Sequence, residues 1–225
     1  AGNPNLRRAK IDNYDARWEW FPGGDQVIAA SYFFKDFTDP VEVFIQPTTG
    51  DLRQSFLNAA GARNQGLELE FRRGLGFLSS KLKSVSLHSN FTLVDSNVDL
   101  SGDRPELRLL TSRSRALTGQ SRYIYNVITE WNRPQWRSAA RFYVNSVSRR
   151  ITDVGSIGLP DLYQERNTFL DFVYQYDLRE SGKWTLRFSA ENLGDNNYRW
   201  TQGGIMVRQY RMGRTFNIGT SFAIF

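Results

Sequence analysis

The sequence predicts an all-β protein, an antiparallel transmembrane β-barrel, on three observations. Its alternating segments are about ten to twelve residues long, its connections alternate short and long, and its tryptophans gather beside the short ones. Strands in soluble domains average about five or six residues, whereas a tilted strand that crosses a membrane needs about nine to eleven. Nine candidate strands are read at 12–21, 26–36, 64–73, 83–95, 122–131, 136–147, 167–177, 184–192 and 214–225.

The first strand carries Ala16, Trp18 and Trp20 on one face and Arg17 and Glu19 on the other, and "PGGD" (22–25) turns it into the second. In 64–73, Leu67, Leu69 and Phe71 oppose Glu68, Glu70 and Arg72. This two-residue period puts an apolar and a polar face on one strand. In 167–177 the better apolar set is Leu170, Phe172, Tyr174 and Tyr176. In 184–192 it is Trp184, Leu186, Phe188 and Ala190. The stretch 75–82, "NRPQ" (132–135) and "LRESGK" (178–183) are short and rich in turn residues. Between them lie the long segments 37–63, 96–121, 148–166 and 193–213. A barrel with tight turns at one rim and extended loops at the other produces this alternation. Trp18, Trp20, Trp131, Trp136 and Trp184 all lie within a few residues of a short turn, as an interfacial aromatic girdle requires; Trp200 alone lies in a long segment. The leucines of 64–73 are therefore expected to face lipid and the charges a wet interior.

Composition narrows the classes. No run of about 18 apolar residues offers a spanning helix, and the absence of Cys removes disulfides and thiolate zinc sites while leaving the compartment open. The 29 Lys and Arg are scattered and answered by 23 Asp and Glu, so no nucleic-acid partner is expected. The N-terminus "AGNPNLRRAK" has no apolar h-region, so an exported protein is expected to be seen here as a mature chain or a piece of one.

Several stretches resemble the TonB-dependent receptors of the bacterial outer membrane. "GNPNL" (2–6) followed by "DNYD" (12–15) is similar to the family's G-N-P-x-L segment. "ENLGDNNY" (191–198) is similar to its N-L-F-D-x-x-Y at the end of the penultimate strand, with Gly194 at the usual aromatic position. "GRTFNIGTSFAIF" (213–225) is similar to its closing strand, although Phe225 falls out of phase with Phe216, Ile218, Phe222 and Ile224. The resemblance implies a 22-strand barrel, an N-terminal plug and a segment that engages the TonB energy-transducing complex. Nine strands supply only part of that, and open edges cannot face lipid. Residues 1–225 are accordingly expected to be the C-terminal barrel portion, with the plug outside this chain. The implied function is import of a scarce small extracellular ligand, such as a siderophore, cobalamin or an oligosaccharide, across the outer membrane, with no catalytic residue, cofactor or resident metal.

His88 is the single histidine, with Ser86 and Asn90 on its face. A lipase-like outer-membrane enzyme using His88 is one alternative, and a soluble β-rich binding domain is another, but a polar lumen row is the simpler reading of that strand. Asp95, Asp99, Asp103 and Glu106 lack the spacing of an EF-hand loop. Arg113, Arg115 and Arg122 with Tyr123 and Tyr125 form a basic and aromatic cluster in sequence. For ligand contact the expected residues are Arg113, Arg115, Tyr198 and Trp200, because arginines and aromatics at a wet mouth offer charge and stacking together.

Overall fold

The computed structural model describes residues 2–101, 105–179 and 184–223; Asp103, residues 180–183 of the fourth tight turn, Ile224 and Phe225 lie outside them, as does the side chain of Glu106. Among the described residues there are fifteen strands: β1 (Lys10–Trp20), β2 (Val27–Thr38), β3 (Val41–Pro47), β4 (Leu52–Asn58), β5 (Gly61–Gly74), β6 (Val85–Asp99), β7 (Tyr123–Arg133), β8 (Ser138–Val147), β9 (Arg150–Asp153), β10 (Leu162–Gln164), β11 (Asn167–Asp177), β12 (Trp184–Glu191), β13 (Asn197–Gln202), β14 (Ile205–Arg211) and β15 (Thr215–Phe222). One short α-helix, α1 (Pro105–Arg108), and three single-turn 3-10 helices (Leu75–Phe77, Ser80–Leu82 and Pro134–Trp136) interrupt them.

Nine strands form a single antiparallel sheet in the order β1-β2-β5-β6-β7-β8-β11-β12-β15, a partial barrel whose members match the nine expected from the sequence. The register decides the faces. Trp18 stands opposite Ala30, Ala30 opposite Leu69, Leu69 opposite Phe91 and Phe91 opposite Tyr125. Further along, Phe142 stands opposite Phe172, Phe172 opposite Ala190 and Ala190 opposite Phe216. Because side chains alternate strictly, these ladders put every apolar set on one face. Leu67 and Leu69 are 49% and 50% exposed there. A soluble domain would have buried them, so the soluble alternative fails on this face.

The opposite face is polar. Arg17 donates to Glu19 at 2.6 Å and to Glu70 at 2.7 Å, and Arg141 donates from Nε to Glu130 at 3.0 Å. Phe33 is an exception: it points to this side and its ring lies over Gly66, where a Cβ would stand 2.6 Å from the ring and 2.2 Å from the Leu93 carbonyl oxygen. Tight turns close one rim. In "PGGD", Gly23 and Gly24 have φ of 138° and 54°, a geometry that side chains resist.

The long segments are more ordered than the sequence suggests. Segment 37–63 folds as the β3–β4 hairpin, and β9, β10, β13 and β14 make a separate sheet in the order β14-β13-β10-β9. Phe44 of β3 bridges Val154 beside β9, with Ile45 N donating to the Val154 carbonyl at 2.8 Å and Val154 N to that of Val43 at 2.9 Å. A small core then forms among the loops from Phe44, Leu57, Leu107, Leu110, Ile151 and Val154. No described helix is long and apolar enough to cross a membrane, a statement that leaves strands aside.

Candidate functional site

The long-loop end gathers groups from all four long segments. Glu42 of β3 and Arg115 form a bidentate pair, Nη1 to Oε1 at 2.6 Å and Nη2 to Oε2 at 2.7 Å, with side chains 0% and 2% exposed. Thr118 N donates to the same carboxylate at 3.1 Å. The segment carrying Arg115 is also held to the polar face of the barrel. Leu117 N donates to Ser96 Oγ at 3.0 Å, Asn64 donates to Gln120 Oε1 at 3.0 Å, and Val98 N donates to the Arg115 carbonyl at 3.0 Å. Asp161 ties a third segment in, accepting from Ser112 Oγ at 2.7 Å and Gly155 N at 2.8 Å.

A cleft of about 330 Å³ opens where these segments meet β6 and β7. Arg115, Arg122, Arg149 and Arg150 line it with Tyr163, and Asp95 is the one carboxylate among its lining residues. The Arg149 guanidinium lies 3.9 Å above the Tyr163 ring and 3.7 Å from Glu165. Arg150 donates twice to Gln164 Oε1, at 3.1 and 2.9 Å. Burial, followed by the nearby Asp161, holds the Tyr163 phenol above its ordinary range against the pull of Arg149, so the hydroxyl is a neutral donor at physiological pH.

Beside the cleft is an aromatic column. Phe169 and Tyr198 lie 5.9 Å apart; Tyr198, Trp200 and Tyr210 stack on one another at 5.0 to 6.2 Å; and Arg208 lies 3.7 Å above Trp200. Strand pairing makes a row of the two features. Arg208 is opposite Trp200, Trp200 opposite Gln164, and Gln164 opposite Arg150. Directly opposed residues on one face are about 5 Å apart; Trp200, 7% exposed, is the buried centre of this row, and Arg208 and Tyr210 are its exposed members.

The structure separates what the sequence clustered. Tyr123 and Tyr125 stack on the apolar face at 6.2 Å, Arg122 lines the basic cleft, and Arg113 lines a different cleft of about 700 Å³ with Asp36, Arg63 and Asp99 while donating to the Leu107 and Arg108 carbonyls. Tyr198 and Trp200 do come together. Arg149, Arg150, Arg208 and Tyr210 were not singled out from the sequence; the doublet "RR" at 149–150 and the "RQY" at 208–210 are the traces they leave. His88 Nε2 stands 3.4 Å from Ser86 Oγ, at the long limit of a hydrogen bond, and Glu130 opposite Ser86 is engaged by Arg141.

The family model described as TonB dependent receptor-like, beta-barrel matches residues 1–193. A comparison with curated proteins found no match. Among solved structures the chain is similar to the ferric yersiniabactin uptake receptor FyuA from Yersinia pestis, at 20% identity over 96% of this chain and 30% of that one, with a TM-score of 0.66. It is similar to the ferric enterobactin receptor PfeA from Pseudomonas aeruginosa in complex with enterobactin, at 17% identity, 98% and 32% coverage and a TM-score of 0.61. It is also similar to the copper transporter OprC, at 15% identity, 97% and 32% coverage and a TM-score of 0.67. The chain thus spans about a third of the length of these structures, and at such identity the likeness is one of fold.

Proposed function

Because this chain belongs to the TonB-dependent receptor β-barrel family, whose barrels sit in the bacterial outer membrane, we propose that it is the ligand-capturing barrel portion of an active-transport receptor. The apolar face is then the lipid face and the long loops stand at the cell surface. A plug and a segment that engages the TonB complex belong to the proposal as parts outside this chain.

Among a siderophore, cobalamin and an oligosaccharide, we favour an anionic metal chelate. The observation that carries this reading is the row Arg208, Trp200, Gln164 and Arg150 beside a cleft to which Arg122, Arg149 and Arg150 bring positive charge, Arg115 being neutralised by Glu42. Flat rings and fixed positive charge suit a chelate with planar donors and net negative charge better than a neutral sugar. Two of the solved neighbours are receptors for ferric chelates by name, which supports the same class. Tyr198 is assigned to stacking, Trp200 to holding Tyr198, Tyr210 and Arg208 in place from its buried position, and Arg113 to the neighbouring cleft. Arg115 reaches the basic cleft, but its pairing with Glu42 makes it a positioning residue as well.

The test is tryptophan-fluorescence titration of the full-length protein with ferric enterobactin, ferric yersiniabactin, cobalamin and maltohexaose. Trp200→Ala is expected to weaken binding of the chelate that binds best by about tenfold, since it removes the ring on which Arg208, Tyr198 and Tyr210 rest, contacts worth roughly 1 to 2 kcal/mol. Preference for the neutral sugar, or Trp200→Ala binding at the wild-type level, overturns the assignment.

The lipid face carries its own prediction. Leu69→Arg is expected to destabilise the barrel by about 2–4 kcal/mol in lipid, because a charge near the bilayer midplane is not solvated. Glu68→Gln, one residue away on the wet face, is expected to change stability by less than about 0.5 kcal/mol. Urea unfolding in vesicles compares the two.

A further inference from the structure

The tight-turn rim repeats one arrangement four times. Arg73 lies over Phe77 at 4.0 Å and Trp20 at 5.9 Å, Arg133 over Trp136 at 3.8 Å, Arg137 over Tyr176 at 5.3 Å, and Arg179 over Trp184 at 6.0 Å. Register puts these pairs on the apolar side. Arg73 ends the row Leu67, Leu69, Phe71, and Arg133 ends the row Val127, Thr129, Trp131, while Trp20, Tyr176 and Trp184 are themselves members of that face. The pattern therefore sits where hydrocarbon gives way to headgroups.

At the other end of the same rows the charge reverses. Asp12 and Asp36 face each other there, with Asp95 and Asp99 in line on β6 and Arg63 among them. One boundary of the lipid face is arginine on aromatic, and the other is largely carboxylate.

An arginine resting on a ring keeps its N–H fork free at the edges, and the ring removes much of the entropy a free side chain would lose on binding. A guanidinium so held matches the oxygens of a phosphodiester. Arg73 also keeps a buried Nε with no hydrogen-bond partner among the described residues. We propose that the tight-turn rim is a binding belt for anionic phospholipid headgroups of the leaflet it meets, with Arg73, Arg133 and Arg179 as the phosphate clamps; Arg137 is instead committed within the protein, donating to the Tyr176 hydroxyl at 2.8 Å and the Leu178 carbonyl at 3.3 Å. The inference rests on the lipid-facing reading of the apolar side, with which the belt is continuous, and on charge complementarity at that rim.

The experiment uses the full-length protein reconstituted in nanodiscs of equimolar phosphatidylglycerol and phosphatidylcholine, re-extracted in detergent, with the retained lipids counted by mass spectrometry. Wild type is expected to retain phosphatidylglycerol in several-fold excess. The triple variant Arg73→Gln, Arg133→Gln, Arg179→Gln is expected to lose most of that excess. Each single variant should lower the ratio by up to about fivefold, the factor that roughly 1 kcal/mol per basic residue at an anionic surface implies. The single variants keep the test open if the triple variant does not assemble. Equal retention of both lipids by wild type, or an unchanged ratio in the triple variant, overturns the belt. Loss of the excess on adding soluble glycerol phosphate overturns it too, marking a free-anion site. Failure of wild type to insert at all would instead overturn the membrane reading on which the belt depends.

Discussion

Replacing Glu42 by alanine is expected to loosen the whole loop assembly by about 3–5 kcal/mol while leaving the nine-stranded sheet intact. The substitution leaves the Arg115 guanidinium buried without a counter-charge and takes an acceptor from Thr118 N. The large cost belongs to breaking a buried pair from one side; removing both partners together is a different matter. The double replacement Glu42→Leu with Arg115→Met, similar in volume and free of charge, is therefore expected to lie near wild type. Hydrogen exchange followed by mass spectrometry reads the difference directly. In Glu42→Ala, protection should fall in 41–46 and 113–121 and persist in β5, β6 and β7. If both variants lose protection equally, packing and not charge holds the loops.

The second large effect concerns the sheet itself. Gly66→Ala is expected to cost about 3 kcal/mol or more and to cut the yield of assembled barrel. The new methyl would meet the Leu93 carbonyl oxygen at 2.2 Å and the Phe33 ring at 2.6 Å, and a backbone atom in a ladder cannot step aside as a side chain can. Shrinking the ring with Phe33→Leu should recover only part of the loss, because the carbonyl stays. Gly74→Ala is the control, since nothing stands within 4 Å of its added Cβ and its backbone is extended at φ −66°. Its stability should lie within about 0.5 kcal/mol of wild type. Denaturant unfolding of the three variants in detergent ranks them.

The barrel strands were legible in the sequence because each presents its alternation over ten or so residues, long enough for the two-residue period to outweigh local exceptions such as Phe33. Strand 167–177 shows why this works: Asp171 and Gln175 spoil one face, and the structure puts Leu170, Phe172, Tyr174 and Tyr176 on the other, as the cleaner set requires. The loop strands were not legible. β10 has three residues and β9 four, and their pairing depends on partners such as Val154 and Phe44 that lie 110 positions apart in the chain. The site suffered from the same limit. Arg113, Arg115 and Arg122 are close in sequence, yet they end in two clefts and a buried pair, because a loop residue's surroundings are set by distant segments. Arg115 meets Glu42 across 73 residues, and no local pattern announces it. Tyr198 and Trp200 were found from composition, whereas Tyr210 and Arg208 required the β13–β14 register, with its irregularity at Trp200 and Thr201.

In the main sheet each strand pairs with the next barrel strand along the chain, so its ladders close by hairpins, one after another. The loop core has the opposite character, since Phe44, Leu107 and Ile151 must arrive from three separate connections before any of them is covered. Loop-closure entropy makes such distant contacts slow relative to neighbouring ones. Assembly of this molecule should accordingly run in two stages, a wall that grows strand by strand and a crown that condenses only when the wall has brought its roots together. A refolding time course should show protease-resistant strands before Trp200 acquires its stacked fluorescence.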